Sequence, residues 1–160
     1  MPDSAQARAR MVEQQMRRRD IRDPRVLDAA GRVERDRFLP AEMTEFAHDD
    51  APLPIGEGQT MSQPYMVALM AQAAALKAGD RVLEVGTGSG YAAAVMSLLC
   101  ARVFSVERRA VLAEAARRRL AAAGYAEVAV RVGDGTLGWP EAAPFDAIVV
   151  AAGGPEVPER

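Results

Sequence analysis

Apolar positions keep a helical period over residues 4–31 and again over 65–75, and beyond about residue 80 they break into short runs of strand length separated by glycine turns. Met11, Val12 and Met16 form an apolar stripe within a helix expected from Ser4 to Arg19, with Ser4 as its N-cap. Arg17-Arg18-Arg19 closes it, where cations suit the negative end of the helix dipole. Pro24 opens a second helix running to about Gly31, with Val26, Leu27 and Ala30 facing inward. Phe38-Leu39-Pro40 ends this region, and Glu42 to Ala51 is polar and irregular. Pro52, Pro54, Gly56 and Gly58 predict no regular structure before Pro64, which opens a helix from Tyr65 to about Ala75 with Ser62 or Gln63 near its cap. Further along, Val82–Val85, Arg102–Glu107, Val128–Val132 and Phe145–Val150 read as strands. Helix-forming stretches Ala92–Leu99 and Arg109–Ala123 lie between the first three, the second closed by Gly124 as its C′ residue. The alternation predicts an α/β, Rossmann-like fold with a mostly parallel sheet, helices on both faces and an N-terminal helical extension.

The chemistry concentrates at the first strand-to-helix turn, Gly86-Thr87-Gly88-Ser89-Gly90. Glycines there let a ligand reach backbone N–H groups that a Cβ would shield, and the following helix aims its free N–H groups at the same point. A dinucleotide fingerprint needs its third glycine one residue later, where Tyr91 stands. Glu84, just before the turn, is a poor neighbour for a pyrophosphate and a good one for an amino group. The stretch therefore suits a nucleoside carrying a positive group, for which S-adenosylmethionine is the candidate. A nicotinamide-dependent dehydrogenase is the rival reading, and it lacks a site for handling hydride.

Two more acids close strands. Glu107 ends the second strand, where a carboxylate accepts hydrogen bonds from ribose hydroxyls, and Asp134 follows the third, within reach of an adenine amino group. Ligands of open α/β sheets bind at that edge, so Glu84, Glu107 and Asp134 point to one place. The polar run Gln59-Thr60-Met61-Ser62-Gln63, leading into a helix start, can hold an anion such as a carboxylate. Ser62 has no histidine identifiable as its base, and His48, the one histidine, has no companions to make a metal site. Cys100 reads as a small buried hydrophobe.

Composition narrows the classes. A 49% apolar share over 160 residues excludes a disordered chain, and a net charge of -2 gives no bulk attraction to nucleic acid. Residues 1–40 carry ten Arg against seven acids, interspersed as on a solvated face. Lys77 is the one lysine, a bias that reads as genomic composition. Residues 1–20 are polar and arginine-rich, unlike a secretory leader, and no apolar run reaches membrane-spanning length. The expectation is a cytoplasmic protein without a membrane partner.

The run Gly56-Glu57-Gly58-Gln59-Thr60-Met61-Ser62-Gln63-Pro64-Tyr65, the Val82–Tyr91 turn and Gly133-Asp134-Gly135 resemble the protein-L-isoaspartate O-methyltransferase family. Met11–Gln15 and Ile21–Leu27 match its N-terminal region. The resemblance implies methyl transfer from S-adenosylmethionine to the α-carboxyl of L-isoaspartyl residues in damaged proteins. The ester then collapses to a succinimide that partly reopens to aspartate. It implies Ser62 as the active-site serine, with Thr60, Gln63, Tyr65, Glu84, Gly86, Gly88, Glu107, Asp134 and Gly135 holding the cofactor. One methyltransferase domain is expected: a helical region at 1–55, a site loop and helix at 56–75, and a cofactor-binding α/β core at 80–160. His48 stands where the family commonly has Tyr, Glu34 where proline is usual, and Gly153-Gly154 where alanines are usual. Family members continue through further strands and helices, so the resemblance implies a core with its C-terminal strands missing. The alternative is a chain that binds cofactor or a partner without turnover.

Overall fold

The computed structural model describes residues 3–153, and the end of the loop expected from Ala151 to Pro158, with Gly154, lies outside the described residues. The first helix, α1 (Ser4–Met11), is capped by Asp3, whose side chain accepts from the Ala5 N–H; Ser4 is its first turn and not its cap. It runs straight into a π-helical turn over Val12–Arg17, where the Arg18 N–H reaches the Glu13 carbonyl. The wider winding buries Val12 and Met16 together with Met11. Helix α2 (Pro24–Arg32) has Pro24 in its first turn and Asp23 as cap. Short 3₁₀ turns over Arg35–Phe38 and Ala41–Phe46 follow, so the segment read as irregular is partly wound.

Residues 53–61 are not irregular either. Strands β1 (Leu53–Gly56) and β2 (Gln59–Met61) pair antiparallel, with Leu53 opposite Met61. The prolines are tolerated because this two-stranded ribbon is all edge. Gly56, Glu57 and Gly58 turn the corner with positive φ. Helix α3 (Pro64–Ala73) starts directly after β2.

Among the described residues the main sheet has four parallel strands in the order β5-β4-β3-β6: β3 (Arg81–Val85), β4 (Arg102–Glu107), β5 (Ala129–Val132) and β6 (Ala147–Val150). Helices α4 (Tyr91–Ser97) and α5 (Ala110–Ala122) cross between them. Gly124 ends α5 at φ +90°, with the Tyr125 N–H reaching back to the Leu120 carbonyl, a left-handed helix stop. Among the described residues, all five α-helices feed one large core with Val82, Val103 and Val149 of the sheet. The opposite face is covered by Trp139, Ala142 and Phe145, packed on Leu83, Phe104 and Val106. The β5–β6 connection passes under the sheet as short turns, so an aromatic cluster does the work expected of a helix there. Cys100 is half-buried, its thiol pushed up to about 11 by burial and directed at the Met96 carbonyl.

Candidate active site

A cavity of about 350 Å³ opens at the C-terminal edge of the sheet, a size that admits a nucleoside-sized ligand. Its floor is the turn from β3 into α4. Gly86, Gly88 and Gly90 sit at φ +96°, +54° and +93°, a region L side chains avoid. Close approach adds to this at Gly86, where a Cβ would stand 2.9 Å from the Ala152 Cβ. The turn is held from within: Gly86 N–H donates to the Val106 carbonyl and Gly90 N–H to the Thr87 carbonyl, both at 2.9 Å.

Glu107 reaches the turn from the end of β4. Its Oε2 accepts from Gly88 N–H at 2.8 Å and its Oε1 from Arg109 N–H at 3.0 Å. One carboxylate thus ties two adjacent crossovers together. Each oxygen keeps an acceptor position free, and the side chain lines the cavity. Asp134 lies at the rim after β5. It accepts from Thr136 N–H at 2.9 Å and from the Thr136 hydroxyl at 2.7 Å, which with Arg108 holds it below the usual carboxylate range. The Asx turn and the cavity position therefore coexist. Gly135 follows it with no room for a side chain, because an added Cβ would run into the Val85 methyl group.

Glu84 occupies a different place. It is fully buried and stands behind the cavity lining. Its Oε2 accepts from the Ser105 hydroxyl at 2.5 Å, and Ser105 is in turn 2.5 Å from the Thr87 hydroxyl of the glycine turn. Among the described residues its Oε1 has no partner. Burial, with Glu107 adding repulsion, pushes the Glu84 carboxyl up to about 8, so it is largely protonated near neutral pH.

The β1–β2 hairpin supplies the opposite wall. Gln59, Thr60, Met61 and Ser62 all line the cavity, as strand β2 delivers the chain to the start of α3. Ser62 is half-buried, and its carbonyl accepts from Arg35 Nη2 at 2.9 Å. Gln63 and Tyr65 turn outward. Gln63 Nε2 lies 3.4 Å from Asp50, and the Tyr65 hydroxyl donates to Asp20 at 2.6 Å beneath the Arg19 guanidinium. His48 is half-buried with Nε2 unpartnered, and burial holds it below its ordinary value.

Of the ten residues singled out in the sequence, the cavity gathers Thr60, Ser62, Gly86, Gly88, Glu107, Asp134 and Gly135. Glu84, Gln63 and Tyr65 lie outside its lining. Sequence reasoning passed over Arg108, Thr136 and Ala152, which also line it, and Ser105, which reaches the turn through Thr87. Ser105 carried a readable signal, since it is the lone hydroxyl inside an apolar strand.

Residues 6–160 match the family model described as protein-L-isoaspartate(D-aspartate) O-methyltransferase. A protein-L-isoaspartate O-methyltransferase of Methylorubrum populi is 64% identical over 153 residues, covering 96% of this chain and 72% of that protein. A solved protein-L-isoaspartate O-methyltransferase superposes with a TM-score of 0.86 at 34% identity, over 95% of this chain and 50% of that one. A Plasmodium falciparum beta-aspartate methyltransferase solved in complex with S-adenosyl-L-homocysteine superposes with a TM-score of 0.81 at 26% identity, over 95% of this chain and 76% of that one. A parallel sheet with this glycine turn, a polar hairpin facing it and a sequence match along nearly the whole chain lead to one assignment: the chain belongs to the protein-L-isoaspartate(D-aspartate) O-methyltransferase family.

Proposed function

We propose that this chain transfers a methyl group from S-adenosylmethionine to the α-carboxyl of L-isoaspartyl residues in damaged proteins and peptides. The observation that carries the reading is the meeting, across one cavity, of the Ser62 wall with the glycine turn and its acids. The residues fit the cofactor. Gly86 and Gly135 leave cradles that a Cβ would fill, and Glu107 offers acceptors to ribose hydroxyls while bracing Gly88. Asp134 stands ready as a carboxylate for an adenine amino group. When bound, S-adenosylmethionine supplies an electrophilic methyl group on a sulfonium. Thr60 and Gly88 line the cavity that would hold it; Glu84 would act from behind the lining through Ser105 and Thr87, and Gln63 and Tyr65 through the start of α3.

The accepting carboxylate is already ionised near neutral pH, so no strong base is required. Ser62 donates a hydrogen bond to that carboxylate and aims one of its oxygens across the cavity. Met61, Val67 and Leu112 keep water from the apolar part of the lining. Rate then comes from alignment, where a misplacement near 1 Å can cost about 100-fold.

Incorporation of labelled methyl into an isoaspartyl peptide, with the matching aspartyl peptide as control, tests the activity. Ser62→Ala should lower turnover roughly 10- to 100-fold while S-adenosylhomocysteine affinity stays within about twofold. Equal loss of both would assign Ser62 to cofactor binding or folding. Cofactor binding without any methyl incorporation would favour a binding module.

A further inference from the structure

Arg35 is the largest side chain that the structure buries completely. It leads the 3₁₀ turn after α2, far from the glycine motif in sequence. Its Nε donates to the Ala47 carbonyl at 2.7 Å and its Nη2 to the Ser62 carbonyl at 2.9 Å. Nη1 has no partner. The guanidinium carbon lies 4.8 Å from the centre of the Tyr91 ring, and Tyr91 both opens α4 and lines the cavity. Phe38 packs edge-on against the same ring, 5.9 Å away. Among the described residues no carboxylate forms an ion pair with Arg35, and burial works against its charge.

A buried cation without a counter-ion is an expensive way to hold a core together, and an apolar residue of similar volume is often as stable or more so. Its geometry suggests another use. The planar fork reaches two carbonyls on different segments and lies against the ring that starts the cofactor-side helix. We propose that Arg35 is a positioning residue that sets the backbone at Ser62, and so the direction of its hydroxyl, relative to the glycine turn through Tyr91. The proposal rests on the reading of Ser62 as the group that orients the substrate carboxylate.

Arg35→Lys keeps charge but loses the fork, and Arg35→Met keeps much of the volume but loses the donors. Both should lower kcat/KM for an isoaspartyl peptide by roughly tenfold or more, with the S-adenosylhomocysteine Kd within about twofold. In a Ser62→Ala background the same changes should cost less than about twofold, because the hydroxyl they orient is gone. Melting temperature should not track the loss, and Arg35→Met should stay as stable as the starting protein or nearly so. Amide hydrogen exchange supplies a readout that needs no turnover: residues 59–66 should exchange faster in both variants while residues 102–107 stay unchanged. Undiminished losses in the Ser62→Ala background, or exchange accelerated everywhere or nowhere, would overturn the assignment. Full turnover in Ser62→Ala alone would instead sink the reading of Ser62, and this proposal with it, whatever the exchange pattern.

Discussion

Glu84 illustrates how one residue's meaning depends on what surrounds it. A carboxylate before the glycine turn looks like a cation partner in the sequence, yet it is sealed beneath the turn with only the Ser105 hydroxyl for company. The native state keeps its proton up to about pH 8, whereas the unfolded chain releases it near the ordinary carboxylate value. Between those values the folded protein binds more protons, so the contribution of Glu84 to stability falls as pH rises through the window and levels off above it. Glu84→Gln removes the titration. The drop in melting temperature from pH 5.5 to pH 8 should be smaller in the variant, by roughly 5 °C or more. Parallel curves for the two proteins would show that Glu84 ionises freely in the fold. Ser105→Ala is the companion change, since it breaks the link from Glu84 to Thr87.

Elements set the close approaches that single residues cannot. The glycine turn works because β3 hands the chain to α4 beneath the Ala151–Gly153 segment that leaves β6. Gly86→Ala meets two penalties, a φ of +96° and a Cβ 2.9 Å from Ala152. A loss of about 1–3 kcal/mol follows from the backbone strain. The denaturation midpoint measures it, and cofactor affinity should fall with it because the β6 exit is pushed from the cavity wall. A midpoint unchanged within error would mean that the turn relaxes freely. The β1–β2 hairpin is the other element that matters. It places Thr60 and Ser62 on the wall, and two prolines hid it from propensity reasoning because they sit where no ladder bond is missed.

For the whole molecule, the sheet is uneven. β3 and β4 are paired on both sides, while β5 and β6 are edges of the described sheet. Ile148 and Val150 of β6 are exposed on the side away from the helices. Native-state hydrogen exchange should therefore protect Val82–Val85 and Val103–Val106 to the level of global unfolding, with β5 and β6 opening earlier. Equal protection across all four strands would mean that they unfold as one unit. The site straddles this pairing pattern: its floor rises from the doubly paired strands, and Asp134 and the Ala151–Gly153 wall hang from the edges.

Much of this was legible without coordinates. The four parallel strands, their crossover helices and the ligand-binding edge follow from local pattern, because apolar period and glycine placement act over a few residues. Val103, Phe104 and Val106 declare a buried strand wherever it is placed. Five of the ten site residues, Gly86, Gly88, Glu107, Asp134 and Gly135, meet at one cavity for the same reason: they sit at strand ends or on a glycine turn, where the α/β architecture dictates position, while Thr60 and Ser62 reach it on the β1–β2 hairpin. The rest was decided by contacts between segments distant in sequence. Nothing near Arg35 tells that it will lie buried against Ser62 and Tyr91, and nothing near Tyr65 tells that it will turn toward Asp20. The proton on Glu84 belongs to no local motif either, since desolvation exists only once the helices close over the sheet. The amino-acid order determined the frame and the edge where chemistry occurs; only tertiary packing decided which polar groups face the cavity and which brace it from behind.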